Sequence, residues 1–491
     1  MPDPVGLLAE IDALIGRITA ESRQFLDEWL QWDIQPEFRP SAENLADYIA
    51  LRNHDLRVLQ RSLMALGLSS LGRLESRVLP TLEAVRSALA ALGGQAARPP
   101  ADEAAFFAGE HRLAARALRL FGARRHARRI ALLVTCPLAA ATDRAFMQGL
   151  ATRGVEAIRI NCAHDGPQEW AQMIEHARAA DAESGGRIRI FMDLAGPKIR
   201  TGTIRTNHEQ KRVFAGDRLA MVAPGGVDRP VPPDVAFTFE CTLPAVLAAA
   251  RPGHRLVIDD GKIATTIDGV EDVMVIATVQ RCKEDGAKLK PEKGINLPDT
   301  ELLIPALTDK DREDLAFVAA HADGIEFSFV QSAQDVLLLQ EELARLRPDD
   351  WTELTLILKI ETAKAVRNLP EIIVCAGARQ PVAIMIARGD LAIEIGFARL
   401  AEMQEEILWI AEAAQVPVIW ATQVLEHMVK EGMPNRGELT DAAAAARAEC
   451  VMLNKGPYLF EAIDALDLLL GRMEDHLHKK TPQLRRLTSW G

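Results

Sequence analysis

"VAIMIARGD", residues 382 to 390, is an apolar run that stops abruptly on an arginine, a glycine and an acid. An uninterrupted apolar run of this length reads as a strand buried on both faces, as in a parallel sheet, where alternation would mark a half-exposed one. A second run, "LTLILKIET" (354 to 362), ends in the same way on Lys359 and Glu361. Outward from these two, six more short apolar runs appear: "IALLVT" (130 to 135), "VEAIRI" (155 to 160), "IRIFMD" (188 to 193), "DGIEFSF" (323 to 329), "VPVIWA" (416 to 421) and "ECVML" (449 to 453). Most are followed by an amphipathic stretch of helical spacing, such as "RAFMQGLATRG", "WAQMIEHARAA" and "AEMQEEILWIAEAA". Eight strand–helix repeats predict an α/β protein built on a closed (β/α)8 TIM barrel.

The regular alternation breaks twice. Residues 202 to 298 separate the third run from the fourth repeat, and hold "GDRLAMVA", "HRLVIDDGKIATTI" and "DVMVIATVQRC". These alternate like antiparallel strands between Gly and Pro turns, and predict a small β-barrel lid inserted in a barrel loop. Residues 1 to 125 show apolar spacings of three and four, as in "VGLLAEIDALIGRI", and predict a helical region with a loop at "GGQAARPPAD" (93 to 102). The barrel is then expected over 126 to 201 and 299 to 480. The basic run "ARRHARRI" (123 to 130), with Arg124, Arg125, His126, Arg128 and Arg129, reads first as a solvated entry to the barrel and second as an anion or partner site.

Composition narrows the function classes. Of 491 residues, 57 are basic and 69 acidic, a net charge of −12 that speaks against a nucleic-acid binder. The six cysteines are scattered with no C-x-x-C pair, which predicts a reducing compartment and no thiolate metal cluster. No apolar stretch is long enough for a membrane span, and the acidic N-terminus does not read as a signal peptide, so the expectation is a cytoplasmic protein without a membrane partner.

In such a barrel the chemistry gathers at the C-terminal ends of the strands. Those ends carry Thr135, Arg159 and Asn161, Asp193, Ser328, Lys359 and Glu361, Arg388 and Asp390, Thr422, and Asn454 and Lys455. Polar groups at all eight ends of largely apolar strands read as a site. Glu361 and Asp390, on neighbouring strands, are hard oxygen donors suited to Mg²⁺ or Mn²⁺, with the rest of the shell left to water and substrate. The alternative is a carboxylate pair neutralised by Lys359 and Arg388. Gly389 lets backbone approach a ligand closely, and a helix start after "RGD" aims N–H groups at an anion. Lys359 offers a point charge to a transferring phosphoryl group or an enolate; Arg159 and Arg200 are anion clamps.

The motifs "IRINCAHD", "MDLAGPKIRTG", "EKGINLPD", "LKIET", "IARGDLAIEIG" and "VPVIWATQVLE" resemble, in order, the successive motifs of the pyruvate kinase family over roughly residues 128 to 475. The resemblance implies transfer of the phosphoryl group of phosphoenolpyruvate to ADP, giving pyruvate and ATP in glycolysis. It implies that Lys359 neutralises the phosphoryl group and the enolate, that Glu361 and Asp390 hold the divalent metal, and that Thr422 lies near the carbon to be protonated. It places Arg159, Asn161, His164 and Arg200 on the nucleotide and phosphate side, Lys293 on the lid reaching the nucleotide, and Ser328, Arg388 and Gly389 among the substrate-binding residues.

The sequence also departs from that pattern. Val134 stands where the family usually has a threonine, and the stretch after the eighth strand is shortened to Asn454–Gly456. The chain ends at Gly491, where the family's usual C-terminal domain would follow, and the N-terminal helical region is an addition. Two of the four positions that hold K⁺ in many relatives match Ala163 and Leu194, which offer no side-chain oxygen, while Asn161 and Asp193 keep theirs. Lys198, in "GPKIRTG", stands where K⁺-requiring members have a glutamate, so the resemblance implies an ammonium in place of K⁺ and no K⁺ requirement. A metal-dependent lyase or decarboxylase acting through a pyruvate enolate, and a non-catalytic phosphoenolpyruvate sensor, are the other readings. Homo-oligomerisation is left open.

Overall fold

The computed structural model describes residues 2–123, 128–207, 209, 211–271, 274–302 and 304–482. Arg124, Arg125 and His126 of the basic run lie outside the described residues.

The eight apolar runs form eight parallel strands closed into a barrel. Three precede the insert: β1 (Ala131–Thr135), β2 (Ala157–Asn161) and β3 (Arg189–Asp193). The insert contributes β4 (Thr201–Thr206), β5 (Arg218–Val222), β6 (Val235–Cys241), β7 (Arg255–Ile258), β8 (Ile263–Glu271), β9 (Met274–Arg281) and β10 (Ile295–Asn296). The barrel resumes with β11 (Gly324–Phe327), β12 (Thr355–Ile360), β13 (Val382–Ala387), β14 (Val418–Ala421) and β15 (Cys450–Leu453). Around the barrel the order is β1, β15, β14, β13, β12, β11, β3, β2, so chain neighbours lie side by side and β15 closes onto β1. Every residue of β12 and β13 is buried, as the lack of alternation predicts for strands with helices outside and packed side chains inside.

The inserted strands form one seven-stranded sheet with its own core, including Phe237, Phe239, Ile258 and Val279. The two chain connections to the barrel meet through an isolated bridge, Arg200 to Gly294. The pairing differs from the antiparallel expectation at one place: β5 and β6 run parallel. Alternation along a strand reports which face is buried and is blind to the direction of the neighbour, which is why the sequence does not disclose this.

The N-terminal region is helical among its described residues, with α1 (Pro4–Trp29), α2 (Arg39–Arg52), α3 (Arg57–Ala65), α4 (Val78–Leu92), α5 (Glu103–Phe106) and α6 (Ala108–Phe121). Asp3 caps α1 by accepting from the N–H groups of Val5 and Gly6, each at 3.0 Å. Helices α1 to α4 share the core that surrounds the barrel. The end of α6 goes further: Ala117, Leu120 and Phe121 pack with the barrel's interior side chains, and Phe121 meets Phe191 edge-on at 6.0 Å between ring centroids. The helix thus stops the N-terminal end of the barrel and leaves the opposite end open.

Gln415, fully buried after the helix Phe397–Ala413, anchors this docking. Its Oε1 accepts from Ser41 Oγ at 2.7 Å and from Arg112 Nε at 2.9 Å. Nearby, Phe38 lies on Gly377, where an added Cβ would press into the ring. Gly377→Ala is therefore expected to destabilise the protein by about 1–3 kcal/mol through overpacking, read as a lower urea midpoint, and Phe38→Leu in the same chain should restore part of it. An unchanged midpoint in Gly377→Ala would show that the contact is loose.

Arg128 is neither solvated nor an anion site. It is buried, donates to Glu156 at 2.8 and 3.1 Å, and pairs with Asp467 at 2.8 Å. Glu156 also accepts from Leu132 N, so this pair ties β1 to β2. A run of basic letters does not reveal that one of them has a buried carboxylate waiting across the fold.

Candidate active site

At the open end, Asp193 is the centre of a buried charge network. Its Oδ1 accepts from Ser328 Oγ at 2.9 Å, and both its oxygens lie 3.0 Å from Lys359 Nζ. Lys359 donates also to Ser328 Oγ at 2.7 Å and lies 3.5 Å from Glu361. Arg159 donates through Nε to Asp193 at 2.9 Å and to Glu326 at 3.0 Å, and through Nη1 to Thr135 Oγ1 at 3.1 Å. These groups come from β1, β2, β3, β11 and β12, because residues at the ends of parallel strands converge on one mouth.

Their titration follows from this crowding. Burial opposes the charge on Lys359, but the fields of Asp193 and Glu361 outweigh it and hold the ammonium above the ordinary lysine value. Burial likewise opposes the charge on Asp193, and the fields of Lys359 and Arg159 outweigh it and hold the carboxylate low. Glu326 goes the other way: burial, then the field of Asp193, push it up to about 7. Glu361 is raised by burial; Lys359 opposes the rise, and the neighbouring charge of Asp390 adds to it.

Glu361 and Asp390 thus act on one another electrostatically: Glu361 directly follows β12, and Asp390 lies in the first turn of the helix that follows the neighbouring β13. Glu361 Oε2 accepts from Phe329 N at 2.6 Å, and Asp390 from Lys198 Nζ at 2.9 and 3.2 Å. Two mutually repelling carboxylates at an open mouth fit a hard divalent cation. Among the described residues no group of three or more His, Cys, Asp or Glu side chains gathers as a ready-made ligand set. The chain would therefore supply two carboxylate ligand groups and leave the remaining positions to water and substrate, the usual arrangement for Mg²⁺.

Arg388 departs from the expectation. Its guanidinium is buried, stacks over Trp420 at 4.9 Å from the ring centroid, and donates to Ala421 O at 2.9 Å, to Thr422 O and to Asp441. Asp390 is not among these partners, so Arg388 does not neutralise it; the guanidinium holds the end of β14 in place. The helix begins on Arg388 itself rather than after Asp390. Gly389 N donates to Thr422 Oγ1 at 2.9 Å, and a Cβ on Gly389 would meet only that oxygen, at 3.9 Å. The backbone there lies bare beside the mouth. Thr422 and Gln423 hold φ of +61° and +57°, and Phe329 +56°, a left-handed backbone costing of order 1–3 kcal/mol per residue. Such strain clusters where side chains must be aimed.

The remaining expected residues are distributed around this core. Asn161 Oδ1 accepts from Ala163 N at 3.0 Å. His164 is exposed; partial burial and then the charges of Lys455 and Arg200 lower its pKa, which places a basic group on this side of the mouth. Arg200, at the root of the lid, donates to Glu292 O at 3.1 Å. Lys293 stands on the lid, 3.5 Å from Asp259, and is not part of the Asp193 network. The structure adds Glu326 and makes Asp193 the hub. An acid inside the run "DGIEFSF" was the available signal for Glu326: a charge in a strand buried on both faces needs a partner.

A sequence model described as "Pyruvate kinase, barrel domain" matches residues 127–463. The chain is similar to the pyruvate kinases of Methylorubrum extorquens, with 33% identity over 331 residues, and of Agrobacterium vitis, with 33% over 347 residues. These matches cover 65% and 69% of this chain, and 64% and 68% of the two relatives. The pyruvate kinase of Mycobacterium tuberculosis is 30% identical over 352 residues, 70% of each chain. The crystal structure of a pyruvate kinase from Cryptosporidium parvum superposes with a TM-score of 0.63 at 25% identity, covering 71% of this chain and 70% of that one. No described helix is long and apolar enough to cross a membrane.

Proposed function

This chain belongs to the pyruvate kinase family, and from that premise we propose that it transfers the phosphoryl group of phosphoenolpyruvate to ADP, giving pyruvate and ATP. The observation that carries the reading is Lys359: an ammonium held charged beside Ser328, Asp193 and Glu361 at the mouth of the barrel. A sensor has no need of a buried ammonium at the point of transfer.

In the proposed reaction the P–O bond to the enol oxygen breaks and its electrons remain on that oxygen. A terminal β-phosphate oxygen of ADP forms the new bond to phosphorus, and the enolate carbon then takes a proton. Lys359 neutralises the charge that spreads over the phosphoryl and enolate oxygens as the bond loosens. Arg159, locked between Asp193 and Glu326, presents a fixed guanidinium fork to the same phosphoryl group. Thr422 Oγ1 accepts from Gly389 N, which leaves its own hydrogen free to point at the enolate carbon's side of the mouth. Glu361 and Asp390 would hold Mg²⁺ or Mn²⁺, which when bound supplies Lewis-acid neutralisation of phosphate and carboxylate oxygens. His164, Arg200 and the lid lysine Lys293 serve the nucleotide phosphates.

We assign the monovalent-cation position to Lys198. Its ammonium is paired with Asp390, while Ala163 and Leu194 lack the oxygens a K⁺ ion would need. A coupled assay tests both readings. Pyruvate should form from phosphoenolpyruvate only with ADP and a divalent ion, at full rate in Na⁺ or Tris buffer. Lys198→Glu should lose most of that activity, with little rescue by K⁺. Pyruvate released without nucleotide would favour a lyase. A several-fold stimulation of the unmodified chain by K⁺ over Na⁺ would end the Lys198 assignment.

A further inference from the structure

At the stopped end of the barrel, a cavity of about 340 Å³ lies between the N-terminal helices and the first residues of β12 and β13. That volume is in the range of small-molecule sites. Three guanidiniums line it: Arg116 and Arg119 from α6, and Arg379 from the turn before β13. Among the described residues none of the three has a carboxylate within ion-pair distance. Arg116 is largely buried, and burial, then the like charge of Arg112, lower its pKa to about 10. Its donors reach Ala414 O at 3.1 Å, Gln415 O at 2.9 Å and Glu37 O at 3.2 Å. Those three contacts leave the Nε–H and one Nη2–H without a partner.

Two carboxylates also line the cavity, Glu37 and Glu353. Both residues are exposed, and the charge of Glu353 acts on Arg347, outside the cavity. The balance within the cavity is positive, in a chain whose net charge is −12. Between the guanidiniums the wall is apolar, formed by Leu120, Pro381 and Val382.

We propose that this cavity binds a phosphate monoester, with Arg119, Arg379 and the free donors of Arg116 on the phosphate and the organic part against Leu120, Pro381 and Val382. Planar forks converging on one volume match a tetrahedral dianion with three free oxygens better than a single carboxylate. The site is separate from the catalytic mouth: Thr355 and Val382, at its wall, open the strands whose far ends lead to Lys359, Glu361 and Asp390. It also joins the helical extension to the barrel, so an occupant would touch both.

The test is calorimetric titration of the full chain with a hexose monophosphate, with inorganic phosphate and with the neutral hexose, beside the doubly substituted Arg119→Glu, Arg379→Glu protein. Both substituted side chains are exposed, and neither belongs to the catalytic mouth, so Mn²⁺ affinity and turnover in the absence of the ester should match the parent. The hexose monophosphate is expected to bind the parent more tightly than inorganic phosphate does, the neutral hexose to give no binding, and the double variant to bind the ester at least about tenfold more weakly, as loss of charge-assisted contacts implies. Equal binding of the ester by parent and variant would put the anion elsewhere. Absence of binding to the parent, or equal binding of the neutral hexose, would equally overturn the proposal.

Discussion

Lys359→Met is expected to lower kcat by about 10²-fold or more while phosphoenolpyruvate still binds, because a charge that acts mainly in the transition state is lost from rate before it is lost from affinity. The network sharpens the expectation. Lys359 touches both oxygens of Asp193, the Ser328 hydroxyl and the edge of Glu361, so its ammonium is already oriented before substrate arrives. Methionine approaches its length and removes the charge. Asp193 keeps Arg159 as a partner in the variant, which limits the loss of stability from an uncompensated buried carboxylate. A urea midpoint and an Mn²⁺ titration on the same sample separate a chemical effect from a folding one. Turnover close to the unmodified enzyme would remove Lys359 from the chemistry.

The second large effect is expected at the carboxylate pair. Glu361→Gln and Asp390→Asn should each weaken Mn²⁺ binding by at least about tenfold, since each replaces an anionic ligand of a hard cation with a neutral one. Both substitutions keep an acceptor oxygen. The new amide oxygen at position 361 can still accept from Phe329 N–H, and the one at position 390 can still accept from Lys198. The fold is thereby spared and the readout is the metal. Glu361→Gln also removes the charge that lies beside Lys359, and Asp390→Asn the charge paired with Lys198, so the two variants are read together: a loss of Mn²⁺ affinity shared by both reports the ligand pair. Mn²⁺ affinity unchanged in both variants would make the pair a set of structural ion pairs, with Lys198 and Lys359 as their partners.

Much of this was legible in residue order. The apolar runs give strands because buried parallel strands cannot alternate, and Lys359, Glu361, Asp390 and Thr422 stand at a common mouth because strand ends of a closed barrel must meet there. Those are consequences of period and length, which are local properties of the chain. What only the tertiary structure decided is where each charge turns. Arg388 adjoins Gly389 and Asp390 in sequence, yet it is drawn to Trp420, to the carbonyls of Ala421 and Thr422 at the end of β14 and to Asp441, 53 residues away. Lys198, in a loop before the lid, reaches Asp390 across 192 residues. Arg128 finds Glu156, Asp193 collects three donors from three strands, and α6 stops the barrel and brings two arginines to a cavity at its closed end. A long side chain has several rotamers of similar energy in the unfolded chain, and the choice among them is made by the partners that folding brings near; residue order states which charges exist, and packing alone states which of them meet.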